Sequence, residues 1–262
     1  MPEGDVVWRA ARQLDAALAD RVLTRSDFRV PRYATTDLTG RTVLEVVSRG
    51  KHLLTRVEGD LTVHTHLRMD GSWRVWPAGR YPPRDHRVRL VLENSQWQAV
   101  GFALGVVEVL PRAREDSLVG HLGPDLLGPD WDLAEAVRRL REQPDRPAGE
   151  ALLDQRNLAG VGNFYKAEAL FLRGVSPWRP VGDIADLEDL VELTRRLLAA
   201  NKDRVGQITT GNPARGEEAW VYRRAGRPCR RCGTPIRTEG HAAHGNTTQE
   251  RVTFWCPACQ PR

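Results

Sequence analysis

Thr42-Val43-Leu44-Glu45-Val46-Val47, Leu61-Thr62-Val63-His64, Arg87-Val88-Arg89-Leu90-Val91-Leu92 and Val106-Val107-Glu108-Val109-Leu110 are short runs crowded with β-branched residues. Such side chains pack well on a pleated surface, and Gly or Asn/Asp turns separate the runs. The spacing predicts an antiparallel sandwich or barrel across residues 41–110. Upstream, residues 2–19 read as a helix, because Val7, Ala10, Ala11, Leu14, Ala17 and Leu18 follow the i, i+3, i+4, i+7 spacing of a buried stripe. Pro2 suits a first helical position, where its missing N–H costs nothing. Downstream, residues 111–129 are rich in Pro, Gly and charge and read as a linker. Helices are expected at about 131–142, 148–156, 163–173 and 186–203, with Asp130, Asn163 and Asp186 as N-caps. The remainder lacks a helical period and holds all four cysteines. The fold class expected is therefore α+β and multidomain: a β-rich domain over 1–122, a helical domain over 123–222 and a cysteine module over 223–262.

The 262-residue chain is 40% hydrophobic, enough for a real core. No stretch approaches the roughly 20 apolar residues of a membrane span. Glu3 and Asp5 stand where a secretory signal would place basic residues, so a cytoplasmic location is expected. The net charge of +5 is uneven: residues 201–262 hold 11 Arg or Lys against 5 Asp or Glu. A basic end beside a near-neutral body suggests a polyanion partner, with nucleic acid first; a solvated basic surface is the alternative, and charge alone does not separate the two. Lysine occurs only at 51, 166 and 202.

Cys229-Arg230-Arg231-Cys232 and Cys256-Pro257-Ala258-Cys259 are two CxxC pairs with 23 residues between them. Two such knuckles supply four thiolates to one tetrahedral Zn2+. Disulfides compete as a reading, but a reducing compartment argues against them. Four cysteines leave no open position for water, so the zinc is expected to be structural. Residues 233–255 then form a hairpin held by the metal, with Gly245-Asn246 near its tip and His241 and His244 as loop residues.

With so few lysines, the amine of Pro2 is a candidate nucleophile, provided Met1 is removed. An α-amino group titrates near 7.7–8.0 and lysine near 10.4, so more of the former is neutral at pH 7. Glu3 stands beside it as a proton shuttle. On these two residues alone, a plain helix start explains as much.

Four separated motifs extend this reading: Met1-Pro2-Glu3-Gly4-Asp5, Arg49-Gly50-Lys51-His52-Leu53-Leu54, Leu153-Asp154-Gln155-Arg156-Asn157-Leu158-Ala159-Gly160-Val161-Gly162-Asn163, and the CxxC pairs with Arg251 five residues before Cys256. In this order they resemble the formamidopyrimidine-DNA glycosylase and endonuclease VIII family over the whole length. The resemblance implies an N-terminal β-sandwich with a leading helix, a helix–two-turn–helix domain and a zinc-finger hairpin. It implies that Pro2 forms a Schiff base, that Glu3 moves protons, that Lys51 contacts a phosphate and assists a first elimination, and that Arg251 does so for a second. Gly160 and Gly162 permit a tight turn near a phosphate, and Asn163 opens the following helix on that anion. A dinucleotide fingerprint is excluded, since Tyr165 stands where its third glycine belongs. Arg156 and Lys166 could add charge to the same surface; for Lys166 a solvated helix face is the alternative.

An extruded base leaves a gap that a side chain must fill. Met69, in His66-Leu67-Arg68-Met69-Asp70-Gly71-Ser72, is the wedge candidate, with core packing as its alternative. Arg68 matches a DNA-contacting position of the family, although endonuclease VIII carries glutamine there. His121 falls where the family has an arginine that contacts DNA. Val100-Gly101-Phe102-Ala103-Leu104 lacks the arginine of the guanine-lesion branch, which tilts the expectation toward the endonuclease VIII branch and oxidised pyrimidines. The resemblance thus implies a monomeric, nucleoid-associated glycosylase and AP lyase acting on damaged DNA by β,δ-elimination, with one structural Zn2+. Two rivals remain: an AP lyase acting mainly on abasic or single-stranded DNA, and a non-catalytic DNA-binding homologue.

Overall fold

The buried stripe of the first helix organises the N-terminal half. In the computed structural model, which describes residues 2–80, 84–243 and 246–262 and only the backbone of those between 241 and 251, helix α1 spans Gly4–Leu18. Val7, Ala11, Leu14, Ala17 and Leu18 are its buried apolar residues, at the expected spacing. The helix starts two residues later than expected. Glu3 is its N-cap in an extended conformation (φ −117°, ψ −174°), so Pro2 precedes the helix instead of opening it.

Among the described residues, nine strands follow: β1 Arg21–Val22, β2 Arg25–Phe28, β3 Thr42–Arg49, β4 His52–Val57, β5 Leu61–His66, β6 Ser72–Pro77, β7 Val88–Glu93, β8 Trp97–Phe102 and β9 Val106–Pro111. They form two antiparallel sheets, ordered β1-β3-β4-β5-β9 and β2-β7-β8-β6. The apolar runs of the sequence are β3, β5, β7 and β9. The sheets and α1 share one core that includes Leu14, Leu18, Val43, Leu53, Val63, Leu90 and Ala99. Asp15 on α1 also accepts the Val46 N–H of β3 at 2.8 Å, locking helix to sheet.

The chain divides into two compact units, Met1–His121 and Leu122–Arg262. The stretch read as a linker is structured. It holds the last residue of β9, helix α2 (Asp116–Val119) and the buried Leu122 and Leu126, and Leu126, with Leu127 packed against the same cluster, joins the second unit's core.

The second unit contains α3 Leu133–Arg141, α4 Ala148–Ala151, α5 Asn163–Arg173 and α6 Leu187–Asn201. Asp132, not Asp130, caps α3, accepting the Glu135 N–H at 3.0 Å. Gly162, not Asn163, caps α5, and Asp186 caps α6 without a side-chain bond. Helix α4 is shorter than expected. The Asn157 side chain takes the Ala151 carbonyl at 3.0 Å and the Asp154 carboxylate takes the Arg156 N–H at 3.0 Å, diverting the groups that would extend it. At the C-terminal end, β10 Arg237–Ala243 pairs antiparallel with β11 Asn246–Trp255. Cys229, Ile236 and Cys256 pack with Ala167 and Phe171 of α5, so the cysteine segment and α5 share a core. Among the described residues, no helix is long and apolar enough to cross a membrane.

Candidate active site and metal centre

Pro2 is half-buried, and the next residue, Glu3, is fully buried, as is Asp5. The Glu3 carbonyl starts the helix by accepting the Val7 N–H at 3.1 Å, while its carboxylate makes no cap bond. A helix start does not require a sealed carboxylate, which is expensive to bury without a purpose. Met1, on whose removal the amine depends, lies outside the described residues.

Lys51 stands at the tip of the β3–β4 hairpin. Arg49 and His52 are cross-strand partners, leaving Gly50-Lys51 as a two-residue turn. Gly50 has φ 57°, which an L side chain disfavours and glycine accepts, so the chain reverses there and carries Lys51 to the end of the sheet.

The loop between β5 and β6 presents Arg68 and Met69. Met69 is 60% exposed, which excludes core packing and leaves it free to contact a ligand. Arg68 is held in the left-handed region (φ 53°), its N–H donated to His66 Nδ1 at 2.9 Å. Gly105 lies directly under it, where an added Cβ would come within 2.0 Å of Arg68 Cγ. His121 is exposed at the end of the first unit.

Sequence reasoning missed a histidine cluster beside Lys51. His52 Nδ1 and His64 Nε2 are 2.9 Å apart, and His64 Nδ1 donates to Glu108 at 2.9 Å. The His52 ring stacks on His64 and meets His66 edge-on, each at 5.1 Å between centroids. Burial, then the charges of His64, His66, His121 and Lys51, push His52 down to about 3. Burial, then Arg68, Lys51 and His64, push His66 down to about 4. Lys51, Arg68 and His121 are therefore within electrostatic reach of one cluster. The only signal in the sequence was the alternation His64-Thr65-His66.

In the second unit, Gln155 shapes the turn before α5. Its Nε2 donates to the Leu153 and Val161 carbonyls at 2.8 and 2.9 Å, and its Oε1 accepts the Gly160 N–H at 3.0 Å. Gly160 has φ 103°, which requires glycine. Asn163 is only 8% exposed and donates from Nδ2 to the Val252 carbonyl at 2.8 Å; its Oδ1 is buried without a partner among the described residues. Asn163 thus braces the β11 backbone. Lys166 corrects both sequence readings. It is fully buried, and its Nζ donates to Thr253 Oγ1 at 2.7 Å, so it is neither a DNA-facing charge nor a solvated one. Arg156 is half exposed but bonded to Asp154 at 2.7 Å. Glu168 is fully buried on α5, and its carboxylate accepts the N–H groups of Trp220, Val221 and Tyr222 at 2.8–2.9 Å and the Thr209 hydroxyl.

Asn163 and Lys166 grip the two residues after Arg251. Arg251 itself pairs with His241 across the β10–β11 ladder. Its side chain and those of His241 and His244, together with the Gly245 tip, lie outside the described residues.

The sulfur atoms of Cys229, Cys232, Cys256 and Cys259 all lie within 4.8 Å of one another. Cys229–Cys259 is 4.0 Å and Cys232–Cys256 is 3.4 Å. A tetrahedron with Zn–S bonds of about 2.3 Å has edges of about 3.8 Å, so the four fit one zinc ion. Backbone N–H groups of Arg231 and Cys259 reach the sulfurs of Cys229 and Cys256 at 3.4 and 3.5 Å, the support that thiolates want.

The family model of the formamidopyrimidine-DNA glycosylase N-terminal domain matches residues 1–101, and that of the H2TH domain matches residues 122–201. A probable endonuclease 8 2 of Streptomyces coelicolor is 60% identical over 264 residues, spanning 99% of this chain and 94% of that one. A DNA-(apurinic or apyrimidinic site) lyase Nei2 of Mycolicibacterium smegmatis is 49% identical over 260 residues, spanning 99% of each. Among solved structures, the Lactococcus lactis Fpg complexed with DNA containing N7-benzyl-Fapy-dG has the same fold, with a TM-score of 0.80 at 24% identity over 100% of both chains. The chain belongs to the formamidopyrimidine-DNA glycosylase family, and its relatives place it in that family's endonuclease VIII branch.

Proposed function

We propose that the chain is a bifunctional DNA glycosylase and AP lyase of base excision repair that favours oxidised pyrimidines and works through Pro2. The observation that carries this reading is the fully buried Glu3 next in sequence to the half-buried Pro2, a burial that a helix start does not need. With Met1 gone, the Pro2 nitrogen lone pair attacks C1′ of the damaged nucleotide. The glycosidic bond breaks and the base leaves with its bonding pair and a proton supplied through Glu3. Opening of the sugar gives an iminium on Pro2. This acidifies the C2′ proton, whose loss expels the 3′ phosphate; a second proton loss then expels the 5′ phosphate. Lys51, at the tip of its hairpin, neutralises a departing phosphate, and Arg251 does the same from the β10–β11 hairpin. Met69 fills the gap left in the duplex, with Arg68, His121 and the α5 turn at Asn163 on the DNA backbone.

Cys229, Cys232, Cys256 and Cys259 would hold one Zn2+, which supplies structural cross-linking and no reaction chemistry. The expected setting is a monomer on chromosomal DNA in the cytoplasm, with domains over 1–122, 123–222 and 223–262.

Borohydride trapping on duplexes bearing an oxidised pyrimidine, 8-oxoguanine or an abasic site tests this. Covalent adducts on the oxidised-pyrimidine duplex are expected; no adduct on any duplex would refute the enzyme. A second reading, an AP lyase acting mainly on abasic DNA, is favoured by the name of the Mycolicibacterium relative. Trapping on the abasic duplex alone would establish it and remove the glycosylase.

A further inference from the structure

The chemistry above gives no task to the histidine chain on β4, β5 and β9. Its protonation follows from its partners. Glu108 as a carboxylate only accepts, so His64 carries its proton on Nδ1. Neutral His64 then offers a lone pair at Nε2, and His52 must donate to it from Nδ1. His52 Nε2 is left bare. It has no partner among the described residues and is not among their sealed polar atoms, so it is open to solvent.

Three permanent cations stand around it: Lys51 precedes it in the turn, Arg49 is its cross-strand partner on β3, and Arg68 lies beside His66; the His66 ring on β5 and His121 complete the surroundings. Glu108 on β9 is the carboxylate of the chain, at its far end. The other acids of this sheet face, Glu45 and Glu115, are held by Arg56.

A proton arriving at His52 Nε2 need not stay there. His52 can pass its Nδ1 proton to His64 Nε2, 2.9 Å away, leaving the positive charge on His64 against Glu108. One proton has entered and one has moved along. His52 is neutral again, but its outer nitrogen has become a donor. We propose that the Glu108–His64–His52 chain is a proton-linked contact for a DNA backbone phosphodiester, with His52 Nε2 switched from acceptor to donor when the phosphate docks beside Lys51. An anionic acceptor is the ligand class that gains from a donor in this cationic setting, and the proposal rests on the reading of the chain as a DNA-binding enzyme.

Calorimetric titration of the full chain with a duplex carrying a tetrahydrofuran abasic analogue tests this, because that analogue binds without reacting. Titrations at pH 6.5 in two buffers of different ionisation enthalpy give the protons taken up. The wild type should take up about one proton more than His52→Gln, and its affinity should fall by up to about tenfold per pH unit from 6 to 8. A group whose basicity rises on binding gives tighter binding at lower pH, which sets that sign. Glu108→Gln should lose the same extra proton while preserving side-chain shape. Pro2 is common to all the proteins, so its own titration cancels. Equal proton uptake in wild type and His52→Gln would overturn the proposal while leaving the enzyme reading intact. No binding of the duplex by the wild type would overturn both.

Discussion

Replacing Glu168 by glutamine should destabilise the second unit by about 2–4 kcal/mol. The carboxylate is fully buried and splits its work evenly. One oxygen accepts the Val221 and Tyr222 N–H groups at 2.9 Å, and the other accepts the Trp220 N–H at 2.8 Å and the Thr209 hydroxyl. A glutamine keeps one oxygen. Its amide nitrogen must face at least one backbone N–H, which is then buried without an acceptor, at about 1–3 kcal/mol; the remaining bonds lose their charge assistance. Glu168→Ala orphans all three N–H groups and opens a cavity, so it should cost more than the glutamine. Urea unfolding followed by tryptophan emission is the assay, since Trp220 sits on the affected segment and stacks on Phe171 with 5.7 Å between ring centroids. A loss below about 1 kcal/mol for Glu168→Gln, or an alanine variant as stable as the glutamine one, would refute the reasoning.

Asp154 is bonded to Arg156 and Arg146; burial raises its pKa, but these bonds outweigh it and hold the carboxyl below its ordinary range. Its contribution is therefore present above the unfolded value near 3.9 and lost as pH falls below it, so Asp154→Asn should be less stable at pH 7 and show a shallower acid decline in a thermal melt series. Met69→Ala should slow base excision about tenfold or more with little change in melting temperature, as the side chain is 60% exposed; steady-state excision assays beside a melt check both. Gly105→Ala would drive Cβ into Arg68 Cγ, at 2.0 Å, and should weaken duplex affinity measured by fluorescence anisotropy. Stripping metal with a chelator should loosen residues 229–259 in hydrogen exchange and weaken DNA binding; undiminished binding after verified metal loss would contradict the hairpin's role.

The sequence made some features legible because they depend on local chemistry. The CxxC spacing needs only a short loop to bring its sulfurs together, and α5 is bounded by Gly162 and Gly174, the latter left-handed at φ 68°. Met69 was readable as a turn residue between strands. The edge strands of the four-stranded sheet were not: β2 is Arg-Ser-Asp-Phe and β6 is Ser-Trp-Arg-Val-Trp-Pro, mixed enough to pass for loops, and sheet pairing overrides that local preference. Lys166 was misread because a helix face shows charge but not what covers it; the cover is Thr253, 87 residues away. The histidine chain was invisible for the same reason. His52, His64 and Glu108 meet only because β4, β5 and β9 are neighbours in register.

The central claim is that Pro2, freed of Met1, is the nucleophile. Borohydride trapping on abasic duplex, followed by peptide mapping of the adduct, tests it most directly in chains with Met1 removed and with Met1 retained. The account predicts an adduct on the Pro2 peptide in the processed chain and none in the unprocessed one. An adduct on the peptide of Lys51 or Lys202, or equal trapping with Met1 in place, would contradict it.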